Sequence, residues 1–326
     1  MTEMRFRRLG DSGLQVSVVG VGCNNFGGRA DLDASRQVVD AAYDEGINLF
    51  DTADVYGGAG GHGASETILG EALVGRREEA IIATKFGLPF GDSKHARGGS
   101  RRWIHQAVEA SLRRLQTDYI DLYQFHEPDP QTPIDETLAA LDDLVRAGKV
   151  RYLGSSNFAG WQIADADWMA RDRGLTRFVS AQNDYSLLER NLETEVIPAC
   201  EVYGVGMLPY FPLAHGLLTG KYSRGETPAP GTRLGNDPKR AGDVMTDERM
   251  DQVEKLSALA AESGVSLLHL AIGGLAAQPM VASVIAGATK PEQIHANAAA
   301  GLWEPDDDEL AAIDDIAPSA RPVPRV

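Results

Sequence analysis

The 326 residues carry 31 Lys and Arg against 47 Asp and Glu, a formal charge of −16. So acidic a surface repels nucleic-acid phosphates and anionic membranes, which excludes a general nucleic-acid or membrane-surface binder. Two cysteines, Cys23 and Cys200, are too few for a disulfide framework and suit a reducing cytoplasm, and the first residues hold no apolar signal segment.

Along the chain, Arg5–Leu9 and Gln15–Val18 flank a turn at Asp11-Ser-Gly13, which predicts a β-hairpin over residues 5–18 that could close one end of a barrel. Short, nearly continuous apolar runs predict buried strands at Val16–Val21, Ile47–Phe50, Ala80–Thr84 and Tyr119–Phe125. Four more follow at Val150–Leu153, Phe178–Ala181, Val205–Pro209 and Val281–Ile285. Helical periodicity fills the intervals: Leu32–Glu45, Ser65–Val74, Arg101–Leu115, Ile134–Ala147, Trp161–Arg173, Leu188–Tyr203 and Met250–Ala277, the last broken at Gly264. Two further helices are expected at Pro291–Ala300 and Asp306–Ile316.

Eight such alternations predict an α/β fold, a (β/α)8 TIM barrel forming one domain over residues 1–326, with a C-terminal helix and tail at 306–326. A doubly wound open sheet would need a glycine-rich phosphate turn after its first strand, and Gly20-Val-Gly22-Cys-Asn-Asn25 lacks the third glycine. Leu267–Ala288 has no charged residue and is long enough to span a bilayer. Gly273-Gly274 and Gln278-Pro279 interrupt it, so a buried helix, a turn and a strand are expected there. The glycine-rich Gly57–Gly63 segment lacks the lysine of a phosphate-binding P-loop. Residues 212–245 hold four prolines and six glycines and carry a charge of +2, which marks a long functional loop after the seventh strand.

In a barrel enzyme the carboxyl ends of the strands build the active site. The residues there include Asp51, Lys85 and His126, with Tyr56 five residues beyond Asp51. Singly, each has a plain structural use as a cap, a surface lysine, a core histidine or a cover. Barrel topology makes them neighbours, and together they make a specific chemistry. An ammonium favours phenolate, a carboxylate keeps that ammonium charged, and an imidazole can hydrogen-bond a carbonyl oxygen. Such a set protonates a forming alkoxide and needs a separate hydride donor, which implies a nicotinamide. The seven histidines are scattered and show no metal-ligand spacing.

Four motifs carry a resemblance: Phe50-Asp-Thr-Ala-Asp-Val-Tyr-Gly57, Ala83-Thr-Lys-Phe-Gly87, Tyr123-Gln-Phe-His-Glu-Pro-Asp129 and Val150-Arg-Tyr-Leu-Gly-Ser-Ser-Asn-Phe158. In order and spacing the chain resembles the aldo-keto reductase superfamily over nearly its whole length, in the style of bacterial reductases similar to potassium-channel β subunits. The resemblance implies that Tyr56 is the proton donor, that Lys85 and Asp51 tune it, and that His126 positions a carbonyl. It implies a nicotinamide carboxamide clamp at Ser156, Asn157 and Gln182, with Tyr210 stacked on the ring. Leu213, Gly216, Leu217 and Lys221 would grip the pyrophosphate. Gly287, Thr289, Lys290, Gln293 and Asn297 would hold the adenosine phosphate. Phe211 and Ala296 depart from the pattern, standing where a serine and a glutamate are common.

A 2′-phosphate needs cations, and Lys290 and Arg233 favour NADPH/NADP+ over NADH. Asn24, Phe26, Phe86 and Phe90 are candidates for either the substrate pocket or packing, and His62 and Trp168 for either its approach or the solvent-facing surface. The implied partner is a small carbonyl or alcohol, and the implied activity is reversible reduction of an aldehyde, ketone or sugar-like carbonyl. The similarity to channel β subunits implies an alternative, a nicotinamide-binding redox-sensing or regulatory subunit with slow turnover.

Overall fold

The computed structural model describes residues 3–320; the last six residues of the expected C-terminal tail, 321–326, lie outside them. The chain opens with an antiparallel hairpin of β1 (Phe6–Arg8) and β2 (Gln15–Ser17). The barrel strands are β3 (Val19–Gly22), β4 (Leu49–Asp51), β5 (Ile81–Phe86), β6 (Ile120–Phe125), β7 (Val150–Ser156), β8 (Phe178–Gln182), β9 (Gly206–Met207) and β10 (Val284–Gly287). Neighbouring strands pair in parallel from β3 to β9, and β10 pairs with β3. The ring is closed between its two ends: Met207 N donates to Met280 O at 2.7 Å, and Ile285 N donates to Pro209 O at 3.0 Å.

Seven helices alternate with the strands up to β9 and just beyond it: α1 (Leu32–Asp44), α2 (Ala64–Ala72), α3 (Arg101–Leu115), α4 (Ile134–Arg146), α5 (Gly160–Arg173), α6 (Val196–Tyr203) and α7 (Pro238–Val244). α8 (Asp247–Glu262), α9 (Leu267–Ala276), α10 (Pro291–Leu302) and α11 (Asp307–Ile316) complete the chain. Side-chain caps start several of them where the sequence supplies an acceptor, as Asp31 does for α1, Ser100 for α3 and Thr246 for α8.

Three expected elements differ. The run Val16–Val21 is divided, its first residues belonging to the hairpin and Val19–Gly22 to the barrel. The expected helix Leu188–Tyr203 becomes a short 3-10 turn at Asn191–Thr194 followed by α6. Pro198 accounts for this, because proline is tolerated only in the first helical turn. Residues 212–245 are not a plain loop. They contain a 3-10 segment (Ala214–Thr219) and α7, and Leu234 and Tyr222 are buried in a core cluster. The chargeless Leu267–Ala288 stretch is α9, a turn and the whole of β10, and among the described residues no single helix is long and apolar enough to cross a membrane.

The hairpin seals the amino-terminal mouth of the barrel. Leu9 and Val16 are fully buried against Leu49, Ile81, Ala83, Leu122 and Leu208 of the barrel interior. Asp11 N donates to Gly204 O at 2.8 Å. With that end closed and largely apolar, the buried Asp51–Lys85 pair lies toward the carboxyl end.

Helix α10 lies so close to β3 that a Cβ on Gly301 would fall 2.1 Å from Val19 Cγ2. Gly301→Ala should therefore lower stability by about 1–3 kcal/mol through overpacking. A urea midpoint equal to that of the wild type would show that this contact is not tight.

Candidate active site

A buried ion pair stands at the centre of the carboxyl end. Lys85 Nζ on β5 donates to Asp51 Oδ2 on β4 at 2.7 Å and to Thr52 O at 2.9 Å, and the lysine side chain is 0% exposed. The second carboxylate oxygen of Asp51 accepts from Gln182 Nε2 at 2.8 Å and from Gln124 Nε2 at 3.1 Å. Burial works to neutralise Lys85, but Asp51 and the Tyr56 phenol outweigh it and raise its pKa. The amine is therefore an ammonium at neutral pH.

Tyr56 lies on the β4–α2 connection, with its backbone N–H donating to Ala53 O at 3.1 Å. The Lys85 ammonium sits 4.9 Å from its ring centroid. Burial pushes the phenol's pKa up, and Lys85 opposes this without cancelling it. His126, immediately after β6, meets the Tyr56 ring edge-on with centroids 5.7 Å apart. Burial, with Lys85 adding to it, pushes the imidazole down to about 3, so it is neutral at physiological pH. Its Nδ1 has no hydrogen-bond partner among the described residues. A protonated phenol, a neutral imidazole and an adjacent ammonium thus converge on one point.

Asp51, Tyr56 and His126 line a cavity of about 380 Å³. Ser156, Asn157 and Gln182 line it beside Tyr210. Asn157 has a φ of 60°, donates to His126 O at 2.9 Å and accepts from the Tyr210 hydroxyl at 2.8 Å, so it links this group to the backbone of His126. Leu213, Gly216, Lys221 and Arg233 also line the cavity, as do Gly287, Thr289 and Gln293. The Arg233 guanidinium rests 4.5 Å from the Phe211 ring centroid, which gives the aromatic in the serine-like position a use as a shelf. Burial, with Arg29 and Arg240 nearby, pushes Arg233 down to about 10. No carboxylate pairs with Arg233 or Arg29 among the described residues, so the cavity lining holds positive charge that no ion pair offsets.

A family model for the aldo/keto reductase family matches residues 18–318. The chain belongs to that family. It is 39% identical over 322 residues to an uncharacterized oxidoreductase, YrpG, of Bacillus subtilis, covering 97% of this chain and 96% of the relative. It is 37% identical over 300 residues to a probable voltage-gated potassium channel subunit beta of Oryza sativa, with 90% of each chain covered. It is also 37% identical over 300 residues to the aldo-keto reductase YhdN of Bacillus subtilis, covering 90% of this chain and 87% of the relative.

In this aldo/keto reductase several residues singled out in the sequence stand away from the cavity. Of the four substrate-pocket candidates only Asn24 lines it. Phe86 is fully buried, stacked on Tyr123 and Phe125, because β5 runs two residues past its expected end and turns Phe86 outward toward the helices. Phe26 is a buried core residue, and Phe90 packs near Trp103, Arg114 and His62. Trp168 is exposed on α5. Leu217 and Asn297 are buried outside the lining, and Lys290 is an exposed residue at the start of α10.

Arg224, counted in the sequence among the loop's cations, is taken up by Asp247, Asp251 and Glu254 of α8. Two contributors were missed. Gln124 lies two residues before His126, so the period-two rule of strands would have placed it on the same inward face. Arg29 comes from the β3–α1 connection and has no comparable signal.

Because the His126 pKa is depressed on folding, unfolded chains bind more protons as pH falls from 6.5 toward about 3, and stability drops. His126→Asn should remove about 2 kcal/mol of the loss between pH 7 and pH 5. Urea unfolding of both proteins at the two pH values checks this, and parallel losses would refute a buried neutral imidazole.

Proposed function

We propose that this protein is an NADPH-dependent reductase of an aldehyde, ketone or sugar-like carbonyl, acting reversibly, with Tyr56 as general acid and base. The observation that carries this reading is the buried Asp51–Lys85 pair set against a protonated Tyr56 and a neutral His126 at one end of the cavity. The cavity suits the dinucleotide. Amide and hydroxyl groups of Ser156, Asn157 and Gln182 line the cavity together with the Tyr210 ring, and the cations Lys221, Arg233 and Arg29 line it as well. Those residues would hold, respectively, an uncharged carboxamide-bearing ring and its anionic phosphates.

When bound, NADPH supplies the hydride that a carbonyl carbon accepts. The chain supplies the rest. The neutral His126 ring offers a hydrogen bond to the carbonyl oxygen and fixes its direction. As negative charge develops on that oxygen, the Tyr56 phenol donates its proton, and Lys85 stabilises the phenolate left behind. Asp51, held by Gln124 and Gln182, keeps Lys85 charged and placed. In the oxidative direction the same phenolate takes the alcohol proton.

Tyr56→Phe should lower kcat by about 10²–10⁴-fold while leaving NADPH affinity within about twofold. Wild-type turnover by this variant would refute the assigned role. For the cofactor, Arg29→Gln with Arg233→Gln should raise the NADPH KM by about tenfold or more and move the NADH KM much less. Equal effects on the two would overturn the preference for NADPH.

The relatives named as potassium channel β subunits support a second reading, a redox-sensing or regulatory subunit with slow turnover. Single-turnover oxidation of bound NADPH across a carbonyl panel separates the two, since only the enzyme reading requires a substrate that reacts rapidly.

A further inference from the structure

A second cavity, of about 360 Å³, opens at the same end of the barrel between the β5–α3 and β6–α4 connections. Lys94, Arg97 and Arg102 line it, all three exposed and none in an ion pair among the described residues. Arg102 occupies the first turn of α3, where the positive end of the helix dipole disfavours a cation. On a chain of net charge −16, three unpaired cations in one cavity are a concentration of like charge that an anion would relieve.

Two carboxylates also line the cavity, so three cations stand against two anions, one of which is tied into the floor by hydrogen bonds and keeps its charge. Asp129 accepts from Gly99 N at 2.9 Å, Gln131 N at 2.9 Å and Thr132 Oγ1 at 2.7 Å. Burial acts against its charge, but these bonds and Arg97 hold it below the usual carboxylate range. Glu127 is exposed and in no ion pair among the described residues.

The floor is rigid. Gly98 N donates to Gly87 O at 2.7 Å, and Thr137 Oγ1 donates to Gly99 O at 2.9 Å. Gly98 has a φ of +75°, and a Cβ there would lie 2.2 Å from Asp129 Oδ2. The cations therefore stand over a preorganised base.

We infer that this second cavity is a binding site for a small oxyanion group, a carboxylate or a phosphate, held by Lys94, Arg97 and Arg102 against the opposing charges of Asp129 and Glu127. His126 lines the first cavity and Glu127, the next residue, lines the second. The oxyanion can thus be the far end of a carbonyl substrate or a separate small molecule. The first version rests on the reductase reading, whereas the binding itself does not.

The test is calorimetric titration with inorganic phosphate, with NADP+ present to fill the first cavity. Arg97→Gln combined with Arg102→Gln should weaken binding by about tenfold or more, and Glu127→Gln should tighten it by about two- to fivefold. Arg29→Gln with Arg233→Gln should leave it unchanged. Absence of phosphate binding, or binding that ignores the first two variants, overturns the site.

Turnover of 4-carboxybenzaldehyde and benzaldehyde assigns the source. If the anion belongs to the substrate, the Arg97/Arg102 variant raises KM by about tenfold for the carboxylated aldehyde alone, with kcat nearly unchanged. If both aldehydes respond alike while phosphate binding is lost, the ligand is a separate oxyanion. Failure to reduce any carbonyl would count against the reductase reading, while the phosphate titration would still decide the site.

Discussion

Taking Lys85 and Asp51 out of water costs several kcal/mol for each ion, and their attraction offsets this only if every remaining polar atom around them is satisfied. That requirement organises the carboxyl half of the barrel. Both oxygens of Asp51 are engaged, one by Lys85 and the other by Gln124 and Gln182, while Lys85 also reaches Thr52 O. Four strands, β4, β5, β6 and β8, therefore each direct one polar side chain inward at nearly the same level. Below that level the interior is Leu49, Ile81, Ala83 and Leu122, and the hairpin closes it. The polar layer is thus open to ligand on one side only.

Charge is segregated in a similar way outside the barrel. Most surface cations are neutralised by neighbouring carboxylates, as Arg224 is by three acids of α8 and Arg114 is by Glu66. Among the described residues, cations without a carboxylate partner include Arg29, Arg233 and Lys221 along one cavity and Lys94, Arg97 and Arg102 in the other. An acidic protein can in this way keep strongly attractive spots for anions while its overall field repels polyanions.

Much of this was legible in the sequence, for reasons that also explain the rest. Helix Arg101–Leu115 has a serine cap at one end and a basic last turn at the other, and its bounds agree with the expectation. Asp51, Lys85 and His126 were found because barrel topology brings strand ends together, whereas Gln182 came from the family resemblance and Gln124 was missed. Phe86 was misplaced because the strand was ended too early. With β5 extended, alternation puts Ile81, Ala83 and Lys85 inside and Phe86 among the helices. Strand β9 is two residues long, and its role in closure depends on pairing with a segment more than 70 residues away, which no local pattern encodes. Arg29 was hidden for a related reason, since a lone arginine in a connection looks the same whether it meets solvent or another arginine.

The opposing pulls on Tyr56 follow from the same buried pair. Burial alone would leave a phenol reluctant to ionise, and an exposed ammonium would do little against it, because water screens such interactions. Placing Lys85 inside the barrel makes its field strong at short range, and Asp51 prevents the lysine from escaping burial by losing its proton. Any ligand that covers the cavity excludes more water and strengthens both effects together. The ground state then keeps the proton on Tyr56, while the charge that would stabilise its departure is already fixed beside it. A barrel whose interior were apolar throughout would be easier to fold, but it would leave the phenol without a partner for that proton transfer.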